Sequence, residues 1–200
     1  MASAPQNGRP PDISFSHMGI SVMSMKEMRN FYTGVLGFLV TDEGFVGSME
    51  VTFLSLDPRE HHQIVLATGR PRGIPANTLN SAFGPSINQI SFRVGSLDDM
   101  RAINRRLLEA GTTEFFTANH GNAWSTYAKD PEGNTIEFFI DTDWYVPQPC
   151  LEPLDLSKSD AEIYQITRSM CEALPGCMPM SEWQAQMRAK MSTGSSTKSS

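Results

Sequence analysis

Cysteine is scarce in this chain: Cys150, Cys171 and Cys177 are all of it, an odd number confined to the C-terminal third without CxxC spacing. That pattern argues against a disulfide framework or a cysteine-ligated zinc site, and a reducing, cytoplasmic setting fits best. Basic residues are thin as well, 16 against 22 acidic ones for a net charge of −6, and they form no basic stripe. Nucleic acid is therefore not an expected partner. No apolar run approaches the roughly 18 residues that span a bilayer, so no membrane partner is expected either. The opening residues 1–12, MASAPQNGRPPD, lack the apolar centre of a signal peptide and read as a disordered lead-in.

What is present is a globular composition and a repeated pattern. Two hundred residues, 40% of them hydrophobic, suffice for one domain with a real core or two small modules sharing one. Ser14–Val22 (SFSHMGISV) alternates as a strand does. A helix is predicted over Met25–Leu36, with Ser24 as N-cap and Gly37 as stop. Strands are predicted over Phe38–Thr41, Glu50–Leu56 and His62–Thr68, the last two joined by the turn Asp57-Pro58-Arg59-Glu60. Residues 69–85, rich in Gly, Pro and Asn, read as a linker. Then the order restarts: strand Ile87–Val94, helix Leu97–Gly111 opened by Ser96, short strand Thr113–Phe116, and strands Trp124–Ala128 and Thr135–Ile140.

Both units have the order βαβββ. Met28-Arg29 matches Met100-Arg101 at an offset of 72, which sets His17 on Gln89. Asp57-Pro58 matches Asp130-Pro131 at an offset of 73, which sets Ile64 on Glu137. A fixed-period self-match marks a duplicated supersecondary unit. The predicted fold class is α+β, with modules over 13–68 and 86–141, an extended segment and helical extension over 142–191, and a disordered tail over 192–200. Within the extension, Trp144 and Tyr145 anchor an extended stretch that lies over the cup, Ser157–Leu174 is a helix, and Ser181–Met191 is a shorter one.

The chemistry gathers on few residues. Asp130-Pro131-Glu132-Gly133-Asn134 is a turn, because Pro fixes φ and Gly and Asn accept φ > 0. The strand after it is apolar except for Glu137. That carboxylate either lies on the solvated face of an edge strand or is a metal-binding or catalytic group. Two open sheets facing each other would bring His17, Gln89 and Glu137 into one cup, where an imidazole, an amide oxygen and a carboxylate leave open positions on a divalent ion. Gln89 equally reads as an amide bridging strands. His62 shares strand parity with Ile64, hence by the offset with Glu137, and should face the cup; His61 then faces outward as a surface residue. Trp124 and Trp144 read as core or rim packing, and Met23, Met25 and Met28 as gap fillers around the first helix.

The segments Phe15-Ser16-His17-Met18-Gly19-Ile20, Phe31-Tyr32-Thr33-Gly34-Val35-Leu36-Gly37-Phe38, His61-His62-Gln63-Ile64-Val65-Leu66 and Asp130-Pro131-Glu132-Gly133-Asn134-Thr135-Ile136-Glu137 carry a resemblance. Over about residues 14 to 141 the chain resembles the vicinal oxygen chelate superfamily of glyoxalases, bleomycin-resistance proteins and type I extradiol dioxygenases. The resemblance implies two βαβββ modules in a cup, a small-molecule substrate, aromatic or chelating through adjacent oxygens, and, as members often pair, a homodimer. By the extradiol pattern it implies His17 and Glu137 as metal ligands, His62 as acid/base, Tyr127 as a substrate-pocket hydroxyl and His120 as a pocket histidine. The metal the resemblance implies is Fe(II) foremost, with Mn, Zn or Ni as alternatives. The departure is Gln89, where ring-cleaving members carry a second histidine ligand while isomerases and lyases admit glutamine. Three functions stay open: a ring-cleaving dioxygenase on an aromatic vicinal diol, a glyoxalase-type isomerase or lyase without dioxygen, and a small-molecule binding protein of the resistance type.

Overall fold

A computed structural model describes residues 14–71, 89–112 and 114–193. The expected lead-in, almost all of the expected linker, and residues 194–200 of the expected tail lie outside the described residues. In the first module, strand β1 (Met18–Val22) leads into helix α1 (Met25–Asn30), whose N-cap is Ser24. The predicted helix does not run on regularly to Leu36. Phe31–Val35 forms a π-helical turn, closed by the Leu36 N–H on the Phe31 carbonyl at 3.2 Å, and this wider turn accompanies burial of both neighbours, Phe31 and Tyr32. The chain then leaves at Gly37 with φ +84, a conformation that side chains with a Cβ resist. Strands β2 (Leu39–Val46), β3 (Met49–Ser55) and β4 (Ile64–Thr68) complete a sheet in the order β1-β4-β3-β2, with β1 parallel to β4.

The second module repeats this with β5 (Ile90–Arg93), α2 (Leu97–Glu109, N-cap Ser96), β6 (Phe116–Asn119), β7 (Ala123–Lys129) and β8 (Thr135–Asp141). Its order is β6-β7-β8-β5, with β5 parallel to β8. Of the short strand predicted over Thr113–Phe116, Thr113 lies outside the described residues; β6 starts at Phe116 and its pairing extends toward the turn at Gly121. In β1, β3, β4, β5, β7 and β8 the even-numbered residues face the helices: Ile20, Val22, Leu54, Ile64 and Leu66 share one core cluster with Met28, Tyr32, Ile90, Ile136 and Phe138. In β6 the parity is reversed, since Phe116 and Ala118 pair with Tyr127 and Ser125. Met23, by contrast, is exposed and fills no gap. Odd-numbered residues of β1, β4, β5 and β8 therefore line the opposite faces.

This register corrects the internal alignment. Met18 pairs with Ile64 and Ile90 with Ile136, so the structural offset in the last strands is 72, and Glu137 corresponds to Val65 rather than Ile64. The first module carries one extra residue between its Asp-Pro turn and its last strand. The parity that aimed His62 at the cup is thereby lost, since β4 starts only at Ile64 and Ile64 faces the helix.

The two modules are joined by a buried ion pair. Glu132, in the second module's turn, accepts the Met23 and Ser24 N–H groups on Oε1 at 2.6 and 2.8 Å, and Arg70 Nη1 donates to its Oε2 at 3.1 Å. The Arg70 and Glu132 side chains are only 6% and 2% exposed. The carboxylate thus caps α1 from another module while Asp130 holds the turn, accepting the Glu132 and Asn134 N–H groups. In the C-terminal extension, α3 (Asp160–Ala173) starts at a Ser159/Glu162 capping box, and α4 (Met180–Thr193) follows it. Among the described residues no helix is long and apolar enough to cross a membrane.

Because Arg70 and the two N–H groups would be left facing a buried amide, Glu132→Gln should cost about 3–5 kcal/mol of stability. The measurement is the urea midpoint of the variant against the parent chain, and an unchanged midpoint would deny the clamp its weight.

Candidate active site

On the open face of the first sheet three imidazoles gather, His61 and His62 packed on the Phe53 ring and His17 against His62. His17 lies just before β1, and its ring centroid is 4.1 Å from that of His62. Ser16 Oγ sits 3.1 Å from His17 Nδ1, so among the described residues Nε2 is the ring nitrogen without a hydrogen bond. His62 precedes β4 and reaches this face through its loop rather than by strand alternation, with Phe53 packed at 5.1 Å. Loss of hydration and the nearby His17 and His61 rings lower its pKa, which favours a neutral imidazole. His61 does not simply face outward: its Nδ1 is 2.8 Å from His62 Nδ1.

The second sheet presents a longer polar chain. Glu137 and Ser91 are register partners on β8 and β5, and Glu137 faces Tyr127 on β7. Ser91 Oγ and Gln89 Nε2 both donate to Glu137 Oε2, at 2.5 and 2.7 Å. The Gln89 amide is therefore engaged as a bridge to the carboxylate, and only its amide oxygen would be offered to an ion. Glu137 is 7% exposed on a central strand, which rules out the reading of a solvated edge residue. Ser91 was not singled out from sequence, although strand alternation from Gln89 puts it on the same face.

Tyr127 and His120 extend this chain. His120 Nδ1 lies 2.7 Å from the Cys150 carbonyl, which can only accept, so a neutral His120 carries its proton on Nδ1. Its Nε2, 3.0 Å from the Tyr127 hydroxyl, then accepts the phenolic proton. Burial first, and then the facing Glu137 carboxylate, raise the Tyr127 pKa well above the ordinary phenol range. The extended stretch with Trp144 and Tyr145 wraps back on this end, where Gln148 Nε2 donates to the His120 carbonyl. Gly121 (φ +76) makes room for it, since a Cβ there would sit 2.5 Å from Val146 Cγ2.

Among the described residues no hydrogen bond or ring contact joins the His17–His62 group to the Glu137 group, and no three His, Cys, Asp or Glu side chains converge at metal-ligand spacing. A third protein donor for an ion would then be of another kind, and Gln89 and Ser91 are the polar groups bonded to Glu137. The chemistry of Glu137 itself fits a dication. It is a buried carboxylate whose hydrogen-bond donors, Gln89 and Ser91, are both neutral, and it forms no ion pair among the described residues. Such a charge is costly to bury without a cation. A cleft of about 230 Å³ lined by Phe38, Phe92, Phe138 and Arg106 lies elsewhere. Phe92 and Phe138 belong to the helix-facing side, behind Glu137.

Removing the charge with Glu137→Gln should lower the Tyr127 pKa toward the ordinary value of about 10 without reaching it, because burial, the larger cause, remains. Phenolate absorbance near 295 nm, with Tyr127→Phe as the blank, reads the shift; an unmoved midpoint would uncouple the two groups.

Comparison with known proteins agrees with this fold. Two curated relatives, biphenyl-2,3-diol 1,2-dioxygenases 2 and 3 of Rhodococcus globerulus, are each 27% identical, over 127 and 126 residues. The matches take in 64% and 63% of this chain and 62% of each relative, so the chain spans under two thirds of their length. A crystal structure of a glyoxylase/bleomycin resistance protein/dioxygenase domain from Frankia sp. EAN1pec superposes with TM-score 0.57 at 20% identity, covering 66% of this chain and all of that one, a likeness of fold alone. The model of the Glyoxalase/Bleomycin resistance protein/Dioxygenase superfamily matches residues 14–138, well over half of the sequence, and the chain belongs to that superfamily.

Proposed function

We propose that this chain is a metal-dependent enzyme of the extradiol dioxygenase type, acting on a small aromatic vicinal diol. The observation that carries the proposal is Glu137, a buried carboxylate whose donors among the described residues are neutral, aligned with Tyr127 and His120 on one sheet face. The names of the Rhodococcus relatives support the ring-cleaving choice. Glu137 and His17 Nε2 would hold the ion, with the Gln89 amide oxygen as the third donor. The chemistry supplied by a bound divalent ion, Fe(II) foremost and Mn, Zn or Ni otherwise, is Lewis acidity toward two adjacent oxygens and, for iron, reactivity with dioxygen.

The chain's own groups do the rest. His62, neutral and beside His17, accepts a proton from a substrate hydroxyl and returns it later. Tyr127 stays a phenol at neutral pH and orients a substrate oxygen. His120, pinned by the Cys150 carbonyl, sets where the Tyr127 proton points. One observation favours a second reading, a glyoxalase-type isomerase or lyase without dioxygen. Gln89 stands where the resemblance to ring-cleaving enzymes calls for a second imidazole, and an amide oxygen binds late divalent metals less well. The resistance-type binding protein has less support, because binding alone does not call for the Tyr127–His120 pair.

Metal analysis of anaerobically purified protein, followed by oxygen uptake with a panel of catechols, separates these readings. Uptake that depends on bound iron supports the dioxygenase; metal without uptake turns the assignment to the isomerase or lyase. Glu137→Ala should abolish metal binding with the fold intact, and full metal stoichiometry in that variant would defeat the proposed ligand set. His62→Phe should keep its metal and lose roughly 10²-fold or more in turnover; loss of metal instead would make His62 a ligand.

A further inference from the structure

We infer that His61 is a positioning residue that fixes the tautomer of His62, an inference that rests on the reading of His62 as the proton-transfer group. The Nδ1 atoms of the two rings are 2.8 Å apart. Two imidazole nitrogens at that distance share one proton, so one donates and the other accepts. Either His61 keeps its proton on Nδ1 and His62 accepts, or His62 donates from Nδ1 and has a bare Nε2.

Asp42 biases this choice. Its Oδ2 is 3.8 Å from His61 Nε2, too long for a hydrogen bond but near enough for its charge to favour an N–H there. Both side chains are more than half exposed, so the bias is screened rather than strong. With its proton on Nε2, His61 offers Nδ1 as the acceptor. His62 then donates from Nδ1 and presents the Nε2 lone pair as a base. Once His62 has taken a proton, the Nδ1 donor bond to His61 persists, so the charged ring keeps its orientation.

The surroundings hold this arrangement. Phe53 packs against both rings, at centroid distances of 5.5 and 5.1 Å, and His17 stands edge-on to His62 at 4.1 Å. Adjacent residues in a strand point to opposite faces, so two neighbouring histidines meet only where the chain is not a strand. The one-residue surplus of the first module, between Asp57 and Ile64, supplies that irregular stretch. The corresponding stretch of the second module contains no histidine.

The test is nitrogen-15 NMR of the imidazoles in the full chain with Zn(II) present as a diamagnetic ion, the His62 signals being identified by their loss in His62→Phe. In the parent chain His62 should be protonated on Nδ1. His61→Phe should move that proton to Nε2, and His61→Asn, whose amide oxygen can accept from Nδ1, should keep it in place. The same His62 tautomer in His61→Phe as in the parent, or a parent His62 protonated on Nε2, overturns the inference. In turnover, His61→Phe should lower kcat about tenfold or more at unchanged KM, with His61→Asn recovering most of it. A displaced tautomer with undiminished kcat would sink the proton-transfer reading of His62 while leaving the positioning by His61 standing.

Discussion

The structure depends on one buried carboxylate that belongs to a turn and acts on another module. Glu132 binds the N–H groups that open α1 and holds the Arg70 guanidinium, contacts that span 109 and 62 residues of chain. A charge at a helix N-terminus is favourable, and here it is also shielded from water, so the clamp is both directional and costly to break. Glu137 lies on the strand that leaves this same turn. Anchoring the turn to α1 therefore also sets where Glu137 stands relative to the first module. The equivalent turn of the first module cannot reciprocate: Arg59 sits where Glu132 would be, and it pairs locally with Asp57 in solvent.

This asymmetry runs through the duplicated unit. The modules share strand order, helix caps and a merged core, yet their open faces differ. One carries imidazoles packed on Phe53; the other carries a hydrogen-bonded carboxylate, amide, phenol and imidazole. The first set consists of imidazole nitrogens, while the second holds the negative charge and the phenolic hydroxyl beside a single imidazole. The metal reaction proposed above would draw on both.

The C-terminal extension completes the second set. Its Cys150 carbonyl fixes the His120 tautomer, while Thr167 on α3 accepts from Asn119 and Trp124 and ties that helix to the ends of β6 and β7. His120 is thereby held on the side chain and, through Gln148, on the main chain. Trp124 packs with Leu97, Met100, Leu154 and Ile163, so the tryptophan that reads as core from sequence is core, but of a cluster the extension helps to build.

Much of the fold was written locally. The repeated βαβββ order, the caps Ser24 and Ser96, the turn at Asp130 and the odd parity shared by Gln89, Ser91 and Glu137 follow from periodicity and turn chemistry, which act over a few residues. Other features required the assembled chain. One additional residue in a loop is enough to shift strand phase, so the alignment of Ile64 with Glu137 failed although both Asp-Pro motifs were matched correctly. Burial of Glu137, the clamp by Glu132, the pinning of His120 and the meeting of His61 with His62 depend on which surfaces pack together. No local pattern encodes those, because a carboxylate or imidazole looks the same in sequence whether its partner is solvent or a side chain from a distant segment.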